Sequence, residues 1–132
     1  MAYNNFKYDV DADGIALVTW DMPGKSMNVF TEEVMVELNA ITDKVMADEA
    51  VKGVVFTSGK DSFSGGADLT MLKGMFEIYR KEKAKDPEKA VKILFEMTGK
   101  MTGLFRKIET SGKPWVSAIN GICMGGAFEL SL

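Results

Sequence analysis

Apolar and polar residues alternate over Phe6-Lys7-Tyr8-Asp9-Val10 and, in part, over Ile15-Ala16-Leu17-Val18-Thr19-Trp20, with the turn-forming Asp11-Ala12-Asp13-Gly14 between them. That period of two on either side of an Asp/Gly turn predicts a β-hairpin. Asp21-Met22-Pro23-Gly24-Lys25-Ser26 breaks the pattern and predicts a loop. From Thr31 the period changes. Val34, Leu38, Ile41 and Val45 recur at helical spacing, Thr31 stands at the N-cap position, and Glu32 and Glu33 suit the positive end of a helix dipole, so a helix is expected from about Thr31 to Ala47.

Val51 to Thr57 predicts a strand, and the unbroken Val54-Val55-Phe56 implies burial on both faces. Ser58 to Asp68 is a glycine-containing loop. Beyond it Leu69, Leu72, Met75 and Phe76 resume a helical period that runs into the solvated patch Arg80-Lys81-Glu82-Lys83-Ala84-Lys85. Asp86-Pro87 is a helix start, and Val91, Leu94, Phe95, Thr98, Met101, Phe105 and Ile108 make one stripe reaching about Thr110. Gly99 and Gly103 weaken that helix by up to ~1 kcal/mol each unless close packing explains them. After Ser111-Gly112-Lys113-Pro114, Trp115 to Ile119 predicts a second buried strand, followed by a second glycine loop and a helix start at Ala127. Strand, glycine loop and helix thus occur twice in the same order, which predicts an α/β fold with parallel strands.

In such a fold the C-terminal ends of parallel strands share one edge of the sheet, and ligands bind there. Gly65-Gly66-Ala67 and Gly125-Gly126-Ala127 both leave that edge. Their small residues let a ligand approach the main chain, and amides at a helix start lack intrahelical partners. Two such N–H groups converging on one oxygen form an oxyanion hole, worth roughly 2.7 to 4 kcal/mol per donor when charge develops on a carbonyl. Glycine-rich turns of this kind also serve as plain connections, and the pattern alone leaves both readings open.

Composition narrows the chemistry. The 132 residues suit one domain, and 46% hydrophobic residues suffice for a core. A formal charge of -3 without a basic block argues against nucleic acid as partner. No apolar run approaches the ~18 residues of a membrane span, and the segment from Met1 is polar, so a cytoplasmic location is expected. The single Cys123 cannot pair internally and sits among apolar neighbours, as a packing residue would. With no histidine, Ser-His triads and imidazole acid-base chemistry are excluded. No P-loop or dinucleotide-binding glycine motif is present. Proton transfer therefore falls to carboxylates, Lys, Tyr or Cys.

Glu129, three residues after Gly126, is the carboxylate within reach of the second loop, either as a first-turn partner of helix amides or as a general acid or base beside a bound thioester or ester. Asp68 suits a helix cap better than a catalyst. Met71, Met75, Met97 and Met101 suit an adaptable core or the lining of an acyl pocket.

Two stretches resemble a known family. Phe63-Ser64-Gly65-Gly66-Ala67-Asp68-Leu69 is similar to the F-x-x-G-A-D-L/I signature of the crotonase (enoyl-CoA hydratase/isomerase) superfamily, and Asn120 to Leu130 resembles its N-G-x-x-x-G-G-x-x-E-L signature. The early loop Asp21 to Asn28 resembles that of the hydratase domains of multifunctional fatty-acid oxidation proteins, which carry a 3-hydroxyacyl-CoA dehydrogenase domain downstream. The resemblance covers essentially the whole chain and implies the crotonase-like spiral of strands and helices. It implies that the amides of Ala67 and Gly126 hold the thioester carbonyl of an acyl-CoA, that Glu129 is one of two catalytic glutamates, and that Lys25, Ser64, Gly66, Asp68 and Leu69 lie along the substrate path, largely through main-chain contacts. It implies no metal or redox cofactor, with NAD relevant only to a downstream dehydrogenase domain, and a homo-oligomer or a thiolase subunit as partner of a full-length protein. The second glutamate of the hydratases falls beyond Leu132, so this chain is expected to be an N-terminal piece of such a domain, truncated at its C-terminus. Isomerisation, hydrolysis or noncatalytic acyl-CoA binding are the alternatives, because the superfamily varies its acid-base residues around the same loops.

Overall fold

The computed structural model describes residues 3–132. Its elements are β1 (Phe6–Val10), β2 (Ile15–Trp20), α1 (Glu32–Ala47), β3 (Gly53–Ser58), α2 (Leu69–Lys83), α3 (Pro87–Glu109), β4 (Trp115–Ala118) and α4 (Gly126–Leu130). One sheet has the order β1-β2-β3-β4, with β1 and β2 antiparallel and the remaining pairs parallel. The hairpin turns at Asp11, whose carboxylate accepts from the amides of Asp13 and Ile15. Because β3 and β4 are parallel, both glycine loops leave the same edge.

Alternate strand positions build the core. Phe6, Ala16, Val18, Trp20, Val54 and Phe56 are buried on one face, under Val34, Leu38, Ile41 and Val45 of α1 and Leu104 and Ile108 of α3. Trp20 is its centre, with ring centroids 4.8 Å from Phe30, 5.9 Å from Phe6 and 6.1 Å from Phe56. Fully burying each such side chain contributes about 1.5–3 kcal/mol. The core carries α1 firmly and leaves α2 aside: α2 buries none of its side chains and packs chiefly on α3.

Each long helix begins on a side-chain cap. Thr31 accepts from the Val34 amide, Asp68 from Met71, and Asp86 from Lys89 with Pro87 in the first turn. The charged patch after Phe76 is the last turn of α2, where Glu82 meets Lys85 and Lys89 at 3.8 and 3.4 Å. Nothing approaches within 4 Å of where a side chain on Gly99 or Gly103 would begin, so close packing does not explain either glycine.

The expectation that both parallel strands are buried on two faces requires correction. Leu17, Val55 and Val116 lie in register across the sheet on the face away from the core, with Leu17 41% and Val116 59% exposed and Val55 only half-buried. An unbroken apolar run marks a strand, but burial of both faces needs a second layer. Among the described residues the core forms on one side.

Candidate functional site

Beyond the ends of β2, β3 and β4 the chain builds a second, smaller ladder. The early loop at Asn28–Phe30, the first glycine loop at Ser64–Asp68 and the second at Ile122–Met124 run side by side, with parallel bridges Phe30 to Ala67 and Ser64 to Cys123. The Ser64 amide donates to Ile122 O at 2.9 Å, and Ser64 O accepts from the Met124 amide at 3.0 Å. On the other side the Gly65 amide donates to Asn28 O at 2.9 Å, Phe30 N to Gly66 O at 2.8 Å, and Asp68 N to Phe30 O at 3.0 Å.

The loops touch at Gly66. Its φ of +86° lies in the left-handed region, and a Cβ there would stand 2.9 Å from the Met124 carbonyl oxygen. Only glycine permits both the conformation and the approach. Gly125 precedes α4 with φ 51° and no side-chain cap, so Gly126 is the first helical residue and Glu129 the fourth, one position later than a first-turn capping partner.

The unpaired donors of this junction follow from the ladder. Every amide from Ser64 to Asp68 donates a hydrogen bond except that of Ala67. In the second loop Met124, Ala127, Phe128 and Glu129 donate, whereas among the described residues no acceptor lies against the amides of Cys123, Gly125 and Gly126. The arrangement can therefore present main-chain N–H groups from two adjoining loops to a ligand oxygen.

The other residues singled out from the sequence fall into distinct settings. Ser64 is fully buried with its hydroxyl engaged, and Asp68 caps α2 through a 2.9 Å bond to the Met71 amide. Leu69 is 80% exposed at the start of α2, and Lys25 is exposed in the early loop. Met101 lies against the second loop: its Cε would be 2.7 Å from a Cβ on Gly126. Glu129 is exposed and lines a cavity of about 570 Å³ shared with Phe105, Arg106, Trp115, Leu130 and Leu132, a space that neither Ala67 nor Gly126 lines. The 132 residues thus bring the loops together and set Glu129 one helical turn away.

Two features of the junction were not read from the sequence in these roles. Asn28 is fully buried: its Oδ1 accepts from Met22 N at 3.0 Å, and its Nδ2 donates to Trp20 O at 2.8 Å, Ser58 Oγ at 2.9 Å and Phe63 O at 3.3 Å. A lone amide side chain between Met27 and Val29 was the available signal. Lys60 reaches back to the early loop, 2.7 Å from Met22 O and 3.1 Å from Asp21 Oδ1, while Lys7 holds the other carboxylate oxygen at 2.8 Å. Hydrogen bonds from Lys7 and then Lys60 hold the Asp21 carboxyl below its ordinary range, and the same contact raises the Lys7 ammonium. Among the described residues no cluster of metal-ligating side chains occurs, and no helix is long and apolar enough to cross a membrane.

A mixed sheet with parallel strands delivering two glycine loops to one edge, where they pair in a second ladder, is an α/β architecture of the crotonase type. An enoyl-CoA hydratase from Shewanella pealeana superposes with a TM-score of 0.78 at 19% identity, over 97% of this chain and 43% of that one. An enoyl-CoA hydratase/isomerase from Xanthobacter autotrophicus gives 0.75 at 26% identity, over 98% and 43%. The fatty acid oxidation complex subunit alpha of Idiomarina loihiensis is 38% identical over 128 residues; they make up 96% of this chain and 16% of that relative's length. The enoyl-CoA hydratase/isomerase family model matches residues 11–132, and the chain belongs to that family.

Proposed function

We propose that the chain provides the thioester-binding part of an enoyl-CoA hydratase, acting in fatty-acid β-oxidation on 2-enoyl-CoA. Water oxygen adds to the β-carbon and a proton to the α-carbon, giving 3-hydroxyacyl-CoA; between these events negative charge rests on the thioester oxygen. The amides of Ala67 and Gly126 hold that oxygen, stabilising it more as charge builds up. Glu129 is one of two carboxylates that move the protons. The acyl-CoA lies along Lys25, Gly66, Asp68 and Leu69. One observation carries the reading: among the amides of Ser64 to Asp68 that of Ala67 alone is unused, at the place where the first loop meets the second. The family match and the similarity to a fatty acid oxidation subunit support the substrate class and the setting.

Crotonyl-CoA tests this directly. Bound in the hole, its thioester carbonyl is polarised and its stretching frequency falls, which difference infrared spectroscopy reads; a bound ligand with an unshifted carbonyl would refute the proposal. In the protein as expressed in its host, loss of the conjugated absorbance measures hydration. E129Q is expected to slow that step by about 10²-fold or more while leaving the carbonyl shift in place.

A further inference from the structure

Ser64 and Asn28 are the two wholly buried polar residues of the loop junction. Every polar atom of Ser64 is engaged. Its main chain binds Ile122 and Met124 of the second loop; its Oγ donates to Asn28 O at 2.9 Å and accepts from the Gly66 amide at 3.1 Å. Ser64 therefore has no free donor for a ligand, and its hydroxyl pins the peptide that enters Gly66.

The peptide that leaves Gly66 is pinned as well, through Gly66 O and the Phe30 amide at 2.8 Å. A trans peptide is planar, with its N–H directed opposite to its C=O. Fixing Gly66 O toward Phe30 therefore aims the Ala67 N–H the other way. Gly66 lies between these two planes at φ +86°, a residue type with wide backbone freedom held at both ends. Without the Ser64 hydroxyl the entering peptide can rotate, and the leaving one is then held by a single bond.

We propose that Ser64, itself held by Asn28, is a positioning residue: its hydroxyl fixes the Gly66 backbone and so sets the direction of the Ala67 N–H toward a ligand oxygen. This rests on the thioester-binding reading above, and the test separates the two. Infrared difference spectra of bound crotonyl-CoA are compared for the parent chain, S64A and S58A. S58A removes another hydroxyl bonded to Asn28, one that contacts Ser62 and Lys60 rather than Gly66. No carbonyl shift in the parent overturns the thioester reading itself. Given a parent shift, S64A is expected to lose about half of it or more with Kd changed less than about threefold, while S58A keeps it, because orientation acts on polarisation more than on ground-state affinity. A full shift in S64A, or equal losses in S64A and S58A, overturns the positioning role. If S64A does not fold, S64C makes the same comparison, since a thiol is a weaker acceptor for the Gly66 N–H.

Discussion

Gly66→Ala separates the two demands made on the first loop. The added Cβ would occupy a left-handed conformation at φ +86°, which costs an L-residue roughly 1–2 kcal/mol. It would also meet Met124 O at 2.9 Å. That oxygen is main chain, and the amide of the same residue is bonded to Ser64 O, so the loops can separate only by weakening that bond, a further loss of about 0.5–1.5 kcal/mol. Gly112 supplies the control. Its φ is +78°, but nothing lies within 4 Å of a Cβ there, so G112A bears the conformational cost alone. At about 4 °C per kcal/mol, G66A should lower the melting temperature by about 6–14 °C and G112A by about 4–8 °C. Scanning calorimetry measures both under identical conditions. Crotonyl-CoA should in addition lose its carbonyl shift in G66A and keep it in G112A. Equal melting temperatures together with equal shifts would refute the argument that contact between the loops shapes the site.

The Asp21 ion pairs give a pH dependence whose sign is fixed. Because the folded-state pKa of Asp21 is depressed, its contribution is present above the unfolded value of about 3.9 and is lost as pH falls through the lower folded value; D21N should flatten that acid limb in urea titrations, and an unchanged limb would count against it. Lys7 responds oppositely: its raised pKa adds stability below about 10.4 that disappears as pH rises through the higher folded value. Thr31→Ala removes the acceptor of the Val34 amide and should cost about 1 kcal/mol by denaturant unfolding, whereas no loss would show that the α1 start is satisfied elsewhere.

The elements were legible where periodicity and punctuation agreed. Thr31, Asp68 and Asp86 each cap the helix expected of them, and the repeated strand-loop-helix order placed both glycine loops on one edge. The burial of Val55 and Val116 was not legible, because a short apolar run records what a residue tolerates, not which layers surround it. At Ser64 the signature suggested proximity to substrate but hid the hydroxyl's engagement with Asn28 and Gly66, contacts made across 36 residues and within two. Asn28 shows the same limit: its four side-chain partners come from both strand ends and both adjoining loops, a convergence that exists only after folding.

The Phe30 amide and carbonyl bracket Ala67, binding Gly66 O on one side and Asp68 N on the other, and immediately afterwards the chain enters a helix that buries nothing. A backbone bonded on both sides of Ala67 and an exposed helix thus meet within two residues. α2 is tied to the rest of the protein chiefly through α3, whose Leu104 and Ile108 sit in the core, while the nitrogen at its root stays registered to the early loop by Phe30.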